Sequence, residues 1–468
     1  MLKLYKVKVL CSSRLPQGWI TVSVDLRRNL NLNLGQQLYL SAGNRKVPVQ
    51  YAGDHDSSSI LSLCVANDIQ ECLMLPLPLI LNLAVDSKTN LYRLGPLIGI
   101  FANRFDQLSK PFGEQTSFFR KLGAAASRLN SFCFAFSPGD IDWDNKVIYG
   151  SIPPLPSDEL SGWQTTAVAF PDVIYDRGLF PRGAQRGAAT FARKILRKYP
   201  GLKFFNPAFF GKWKTHRLLS KHETIYRYLP ETRLYTSTAD IREMLAKHRT
   251  VYIKPCGGSS GKGIIRLTSS SRGFIADYRV ARELKTTEFT IRDDLLNYLT
   301  GRMGDRRYII QQGLELAKLD GSPFDVRILM QKNSQGRWLR TGMAIRVAGQ
   351  QNFITNLHAG GHAARVSRVL PKTFANPELA RKILADIRRL CLLIAYWVSI
   401  EYNPLFGEIA IDLGIDESGK VWIIELNAVP GRSVFRRIGA AGVQLRAVSR
   451  PMEYASFLAG FAPQSNKD

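Results

Sequence analysis

Between Thr250 and Leu267 the chain reads Thr-Val-Tyr-Ile-Lys-Pro-Cys-Gly-Gly-Ser-Ser-Gly-Lys-Gly-Ile-Ile-Arg-Leu. An apolar run stops at Lys254-Pro255, and a second, Gly263–Leu267, begins after a stretch of small and basic residues. Two strands joined by such a loop form a phosphate cradle. Glycine and serine offer backbone N–H groups and hydroxyls, and without a Cβ nothing blocks close approach of phosphate oxygens. Lys254 and Lys262 place a point charge at either end. A Walker A loop is excluded by spacing and context. That motif needs four residues between its glycine and Gly-Lys-Ser/Thr, followed by a helix. Here Gly257 and Gly261 enclose three, Gly263 follows Lys262, and the continuation reads as β. The bland alternative, an ordinary glycine-rich turn, leaves the Lys-Pro stop and the flanking lysines without a purpose.

A second constraint lies downstream. Glu408-Ile-Ala-Ile-Asp-Leu-Gly-Ile-Asp416 and Val421-Trp-Ile-Ile-Glu-Leu-Asn427 flank a polar turn and predict an antiparallel hairpin. Glu425 and Asn427 are two apart and share a face, with Asp412 on the opposite strand. Hard oxygen donors in this pattern suit Mg²⁺, and acids on apolar strands are costly unless paired or metal-bound. The competing reading pairs Asp412 and Glu425 with nearby arginines. Together with the glycine loop, the hairpin predicts a Mg-nucleotide site.

Composition bounds the rest. The 468 residues suggest about three domains. Hydrophobic and charged contents of 45% and 22% exclude a disordered, collagen-like or coiled-coil chain. With 64 Lys and Arg against 38 Asp and Glu, the formal charge of +26 predicts an anionic partner. Nucleic acid ranks last among these, because no RNP, KH or helix-turn-helix signature is present. Six cysteines without a CxxC pair predict free thiols in a reducing compartment. The N-terminus alternates like a strand rather than a signal peptide, and the most apolar stretches, Cys72–Val85 and Leu390–Ile400, fall short of the ~20 residues of a membrane span. A soluble, intracellular protein is expected.

Residues 1–90 carry short alternating runs (Trp19–Leu26, Gln37–Leu40, Lys46–Tyr51) and predict a small β-rich module. Residues 91–205 open with strand, helix and strand at Gly95–Phe101, Gln115–Leu129 and Ser131–Phe136, a βαβ-type layer, and continue to a strand at Pro171–Arg177. The basic stretch Arg182–Tyr199 predicts a solvated helix with a core stripe of Phe191, Ile195 and Leu196. Residues 206–463 form the third region and 464–468 a tail. A long helix capped by Asn376 and Pro377 should turn Leu384, Ile387, Cys391, Leu392, Ile394 and Ala395 inward.

The Lys-Pro glycine loop between two strands, followed by Asp…Glu-x-Asn on a hairpin, resembles the ATP-grasp superfamily. Local phrases resemble its YheC/YheD branch of endospore coat-associated proteins: Gly95-Pro-Leu-Ile-Gly-Ile100, Pro171–Arg177, Tyr228-Leu-Pro-Glu-Thr232, Phe324-Asp-Val-Arg327, Thr355–Gly361 and Glu425-Leu-Asn427. The resemblance implies an α+β / α/β chain: an ATP-grasp fold of two α+β lobes, preceded by a Rossmann-like domain and the β module. It implies ATP and Mg²⁺ as cofactors, and a carboxylate–amine ligase acting through an acyl phosphate on an unknown carboxylate acceptor. The alternative it allows is a non-catalytic coat-associated protein that retains nucleotide binding, cytoplasmic or on the spore coat, with acidic polymer or coat proteins as partners.

By the same resemblance Lys254 reaches the ATP phosphates, with Gly258, Ser259, Ser260 and Gly261 around them. Lys212 resembles the earlier nucleotide-contacting lysine, with Lys214 an equal candidate. Tyr308–Leu314 resembles the inter-lobe linker, so Gln312 and Leu314 meet the adenine and Glu315 the ribose; Gln311 and Gln312 stand where many members have an acid. Arg327 and Arg346 match groups that hold phosphate or the acceptor carboxylate. For these two, a bracing ion pair with Asp325 is the bland reading. Asp412, Glu425 and Asn427 resemble the metal ligands, and Arg432 faces the acceptor. Asn356 and His358 lie in a glycine-bearing loop suited to closing over the triphosphate or to holding the acceptor. The Gly-Gly between His358 and His362 excludes a zinc helix, and no Ser/His/Asp or Cys/His nucleophile is arranged.

Overall fold

The computed structural model describes residues 3–55, 60–154, 162–180, 184–207, 211–258, 262–280, 283–349, 360–402 and 405–462. Seven strands between Lys3 and Gly95 close into a barrel, filled by alternate residues such as Val7, Val9, Ile20, Val22, Leu38 and Leu40. The alternating run at Trp19 does not stay extended to Leu26. It ends at Ser23, and a helix runs Val24–Leu30, stopped by Asn31 in the left-handed conformation (φ 54°). Ser23 sits at the N-cap position, Asp25 favours the first turn, and Asn tolerates the left-handed cap. A second helix, Asn67–Leu73, ends the same way at Met74.

The next sheet has Leu97–Phe101, Phe132–Phe136, Val173–Asp176 and Lys203–Phe205 as its parallel centre. The first two are buried throughout, as strands covered on both faces must be. Helix Thr116–Arg128 links them, giving the expected βαβ unit. Helix Ala184–Leu196 presents Ala189, Ala192 and Leu196 to the core, whereas Phe191 and Ile195 are exposed (55% and 37%). The expected stripe is therefore out of phase. Small residues let the helix approach a phenylalanine-rich sheet closely, and Phe191 lies outside, edge-on to Trp143 at 5.7 Å.

Two six-stranded sheets follow. One, running Thr232–Leu234, Tyr308–Gln312, Thr250–Pro255, Ile265–Ser270, Gly273–Val280 and Glu283–Phe289, is antiparallel and backed by helices Thr238–Lys247 and Arg292–Met303. The other contains Trp338–Val347, Ser322–Lys332, Glu408–Ile415 and Val421–Asn427, backed by helix Pro377–Glu401. Asn376 caps that helix by accepting from the N–H groups of Glu378 and Leu379. Ile387, Cys391, Ile394 and Ala395 are buried as expected, but Leu392 is 39% exposed, because the buried face runs through Ile383, Leu390 and Val398 instead. The last helix, Ala441–Leu458, returns to pack on Thr116–Arg128 and the parallel sheet. No helix among the described residues is long and apolar enough to cross a membrane.

Candidate functional site

A cleft of about 1430 Å³ lies between the two six-stranded sheets and extends to helix Thr116–Arg128. Strand Thr250–Pro255 carries Lys254 into it. The ammonium donates to Gln311 Oε1 on the neighbouring strand (2.5 Å), and Gln311 in turn donates to Thr232 (2.9 Å). Gln311 thus orients the lysine where an acid would have neutralised it. Burial pushes the Lys254 ammonium down to about 8; Glu425 opposes that shift and Lys212 adds to it.

Lys212 opens helix Lys212–Leu219, and its backbone N–H binds Cys256 O (3.0 Å) just before the glycines. Its Nζ donates to Gly258 O (3.1 Å) and stands 4.0 Å from Glu425 Oε1. Lys214 points elsewhere, over the Tyr402 ring, which separates the two candidates. Gly258 has φ +110°, and a Cβ there would meet nothing within 4 Å among the described residues. Lys262 is exposed and does not line the cleft. Ser259, Ser260, Gly261, Asn356 and His358 lie outside the described residues. Gln312 and Leu314 line the cleft, but Glu315 is exposed and does not.

The hairpin register sets Asp412 opposite Glu425, with a bulge after Asp412. Asp412 is bound bidentately by Arg327, and Arg346 adds a contact at 3.0 Å. Arg346 also grips Asp325 through two bonds (2.7 and 2.6 Å). Burial raises the Asp412 carboxyl, but the two arginines more than offset it and hold it below the ordinary range. The three residues expected around a metal come together, Asp412 facing Glu425 across the hairpin and the Asn427 Nδ2 lying 3.5 Å from Asp412 Oδ2, but Asp412 also belongs to an arginine–aspartate lattice, and Arg327 pairs with Asp412 rather than Asp325. Among the described residues no three His, Cys, Asp or Glu side chains group as for a metal. Glu425 and Asn427 remain toward the cleft. Burial raises the Glu425 carboxyl, and Lys212 at 4.0 Å is its nearest charge partner, so its oxygens keep free acceptor capacity for a cation.

A further group was not legible in the motifs. Glu408, fully buried, binds Arg177 (2.9 Å), Arg432 and the Tyr175 hydroxyl. The Arg432 and Arg177 guanidinium groups lie over the Phe118 ring at 4.1 and 5.2 Å. Arg177 follows the carboxyl end of a central parallel strand, a position where ligands commonly bind in such sheets, and that rule was the available signal.

A model of the YheC/D-like ATP-grasp family matches residues 201–458. The endospore coat-associated protein YheD of Bacillus subtilis (strain 168) is 30% identical over 367 residues, covering 78% of this chain and 79% of its own length. YheC of the same organism, also called endospore coat-associated, is 26% identical over 332 residues, covering 71% and 89%. Among solved structures, the D-cycloserine synthetase DcsG is 12% identical with a TM-score of 0.45, covering 76% of this chain and 99% of that one.

Proposed function

Because the chain belongs to the YheC/D-like ATP-grasp family, we propose that it is an ATP- and Mg²⁺-dependent carboxylate–amine ligase associated with the endospore coat, as its relatives' names suggest. One observation carries this reading: Lys212, Lys254 and Glu425 line the same cleft between the two six-stranded sheets, with Lys212 bridging from Gly258 O of the glycine loop to within 4.0 Å of Glu425. Two lysines at the glycine loop supply positive charge where a triphosphate ends, and Gln312 and Leu314 line the place for its base. Glu425 and Asn427 are the residues that would hold Mg²⁺, whose chemistry there is neutralisation of phosphate charge. Arg327 and Arg346, locked by Asp325 and Asp412, present fixed guanidinium edges instead of mobile side chains.

In the reaction an acceptor carboxylate oxygen bonds to the γ-phosphorus as the bridging P–O bond breaks and ADP leaves. An amine nitrogen then bonds to the acyl carbon as phosphate leaves, with one proton released. No protein nucleophile is required, consistent with the charge-positioning character of the cleft. A second reading, nucleotide binding without turnover, is favoured by the engagement of Asp412 with two arginines, which occupy the carboxylate that the ligase reading gives to a metal.

Two measurements decide. ATP with Mg²⁺ and acidic acceptors should yield ADP; binding of ADP without any turnover across the acceptor series would select the second reading. In titration calorimetry, Glu425→Ala should weaken Mg²⁺-dependent ADP binding at least ~10-fold, about 1.4 kcal/mol. Unchanged affinity would remove Glu425 from the metal site.

A further inference from the structure

The charge inside the cleft is unevenly distributed. Among the described residues, ten Lys and Arg side chains line it against four carboxylates. At the nucleotide end, Lys212, Lys254, Arg327 and Arg346 face Glu425, Asp325 and Asp412, which nearly balances. The other end holds Arg120, Lys121, Arg128, Arg177, Arg432 and Arg436, with Glu114 the one acid lining it among the described residues. Glu408 behind them offsets part of Arg177 and Arg432 only. A cleft lined by one sign of charge focuses its field on whatever enters.

Two orphaned atoms lie at this end. The Nε groups of Arg120 and Arg432 are buried without a hydrogen-bond partner among the described residues. Buried donors left unpaired are rare and costly in native proteins. Both side chains line the cleft, so two incompletely paired guanidinium groups stand beside it. The cations are also strung out in a line. Arg120, Lys121 and Arg128 follow one face of helix Thr116–Arg128, and at ~1.5 Å per residue they span about 12 Å. That equals three to four residues of extended peptide at ~3.3 Å each. The cleft volume, about 1430 Å³, also exceeds the ~300–1,000 Å³ that holds one small ligand, leaving room for a second beside the nucleotide.

We propose that the acceptor is an extended acidic peptide that lies along helix Thr116–Arg128, its carboxylates on Arg120, Lys121 and Arg128 and its reacting end beside Arg432 and Phe118. This rests on the ligase reading in one respect: ATP activation acts on a carboxylate, which makes the oligoanion a carboxylate chain rather than a phosphorylated one.

The test uses the full chain and fluorescein-labelled pentaglutamate, with binding read by anisotropy in the presence of ADP and Mg²⁺. Arg120→Gln/Lys121→Gln/Arg128→Gln should weaken peptide binding at least tenfold and leave ADP affinity within twofold. Lys121→Gln/Arg128→Gln, which alters two exposed side chains, should lose at least threefold, so that the result does not depend on the half-buried Arg120. Arg186→Gln/Lys194→Gln/Arg197→Gln on helix Ala184–Leu196 and just after it removes equal charge elsewhere and should change nothing. Equal peptide binding by the first variant and wild type, or equal loss in the remote variant, overturns the proposal. So does the absence of pentaglutamate binding to the wild type. Peptide bound along the helix without ADP formation from ATP refutes the ligase reading and leaves this site standing. ADP formation with a monocarboxylate, unaffected by the helix variants, does the reverse.

Discussion

Lys254 concentrates the electrostatics of the site in one titration. Desolvation brings its ammonium down to about 8, so near pH 8 the free protein carries roughly half a proton there. A triphosphate beside it favours the charged form, and binding then takes the missing proton from solution. The sign follows: affinity holds below pH 8 and falls as pH rises through it, by up to tenfold per unit. Phosphate groups, with a second pKa near 6, are already ionised in this window. Calorimetry of ADP binding at pH 8 in two buffers of different ionisation enthalpy should report uptake of about half a proton. Lys254→Arg, charged throughout, should bind ADP with no such dependence between pH 7.5 and 9. Zero uptake by the wild type would mean the lysine is solvated in the free protein.

At the scale of elements, the phase of a helix is the weak point of inference from sequence, and Ala184–Leu196 displays it. Leu196→Ala, at a fully buried position, should cost about 2–5 kcal/mol in denaturant titration. Phe191→Ala should cost no more than its edge contact with Trp143, about 0.5–1.5 kcal/mol, and an equal loss in the two would restore the phase read from hydrophobicity. Strand pairing was better specified. The glycine loop and the acidic hairpin announce themselves because period-two alternation fixes which side chains share a face, and the βαβ unit and the Asn376 cap follow from equally local signals. Spacing does not say which charge a shared face will meet. Asp412 and Arg327 find each other across strands paired 85 residues apart in sequence, so the carboxylate expected on a metal joins an arginine lattice. Arg120 and Arg177 were hard to place for the same reason: one reaches the cleft from helix Thr116–Arg128 and the other from the end of the parallel strand Val173–Asp176, both remote in sequence from the motifs.

At the scale of the molecule, Arg93 joins three regions that are remote in sequence. It leaves the barrel strand Leu91–Gly95, binds Asp172 before the parallel strand Val173–Asp176 (3.2 Å), and donates to Ala459 O at the end of the last helix (2.9 Å). Its guanidinium lies over Phe461 at 4.8 Å, and a cation suits a helix C-terminus. Asp172 is buried, which raises its carboxyl, while the Leu97 N–H and Arg93 act the other way. Arg93→Met removes that cation and should cost about 1.5–3 kcal/mol near pH 7, as expected for losing a hydrogen bond to a charged group. The pH dependence carries the diagnosis. An acid whose folded pKa is raised penalises the fold only where it must ionise, so the cost is full above the folded pKa and fades as pH falls toward the ordinary carboxyl range. The gap in unfolding midpoint between variant and wild type should therefore narrow from pH 8 to pH 4. Arg93→Met/Asp172→Asn should recover most of the loss at pH 8, because no buried charge is left without its partner. A gap that stays constant with pH, with no recovery in the double variant, would assign Arg93 to packing on Phe461 and leave the barrel attached by apolar contacts.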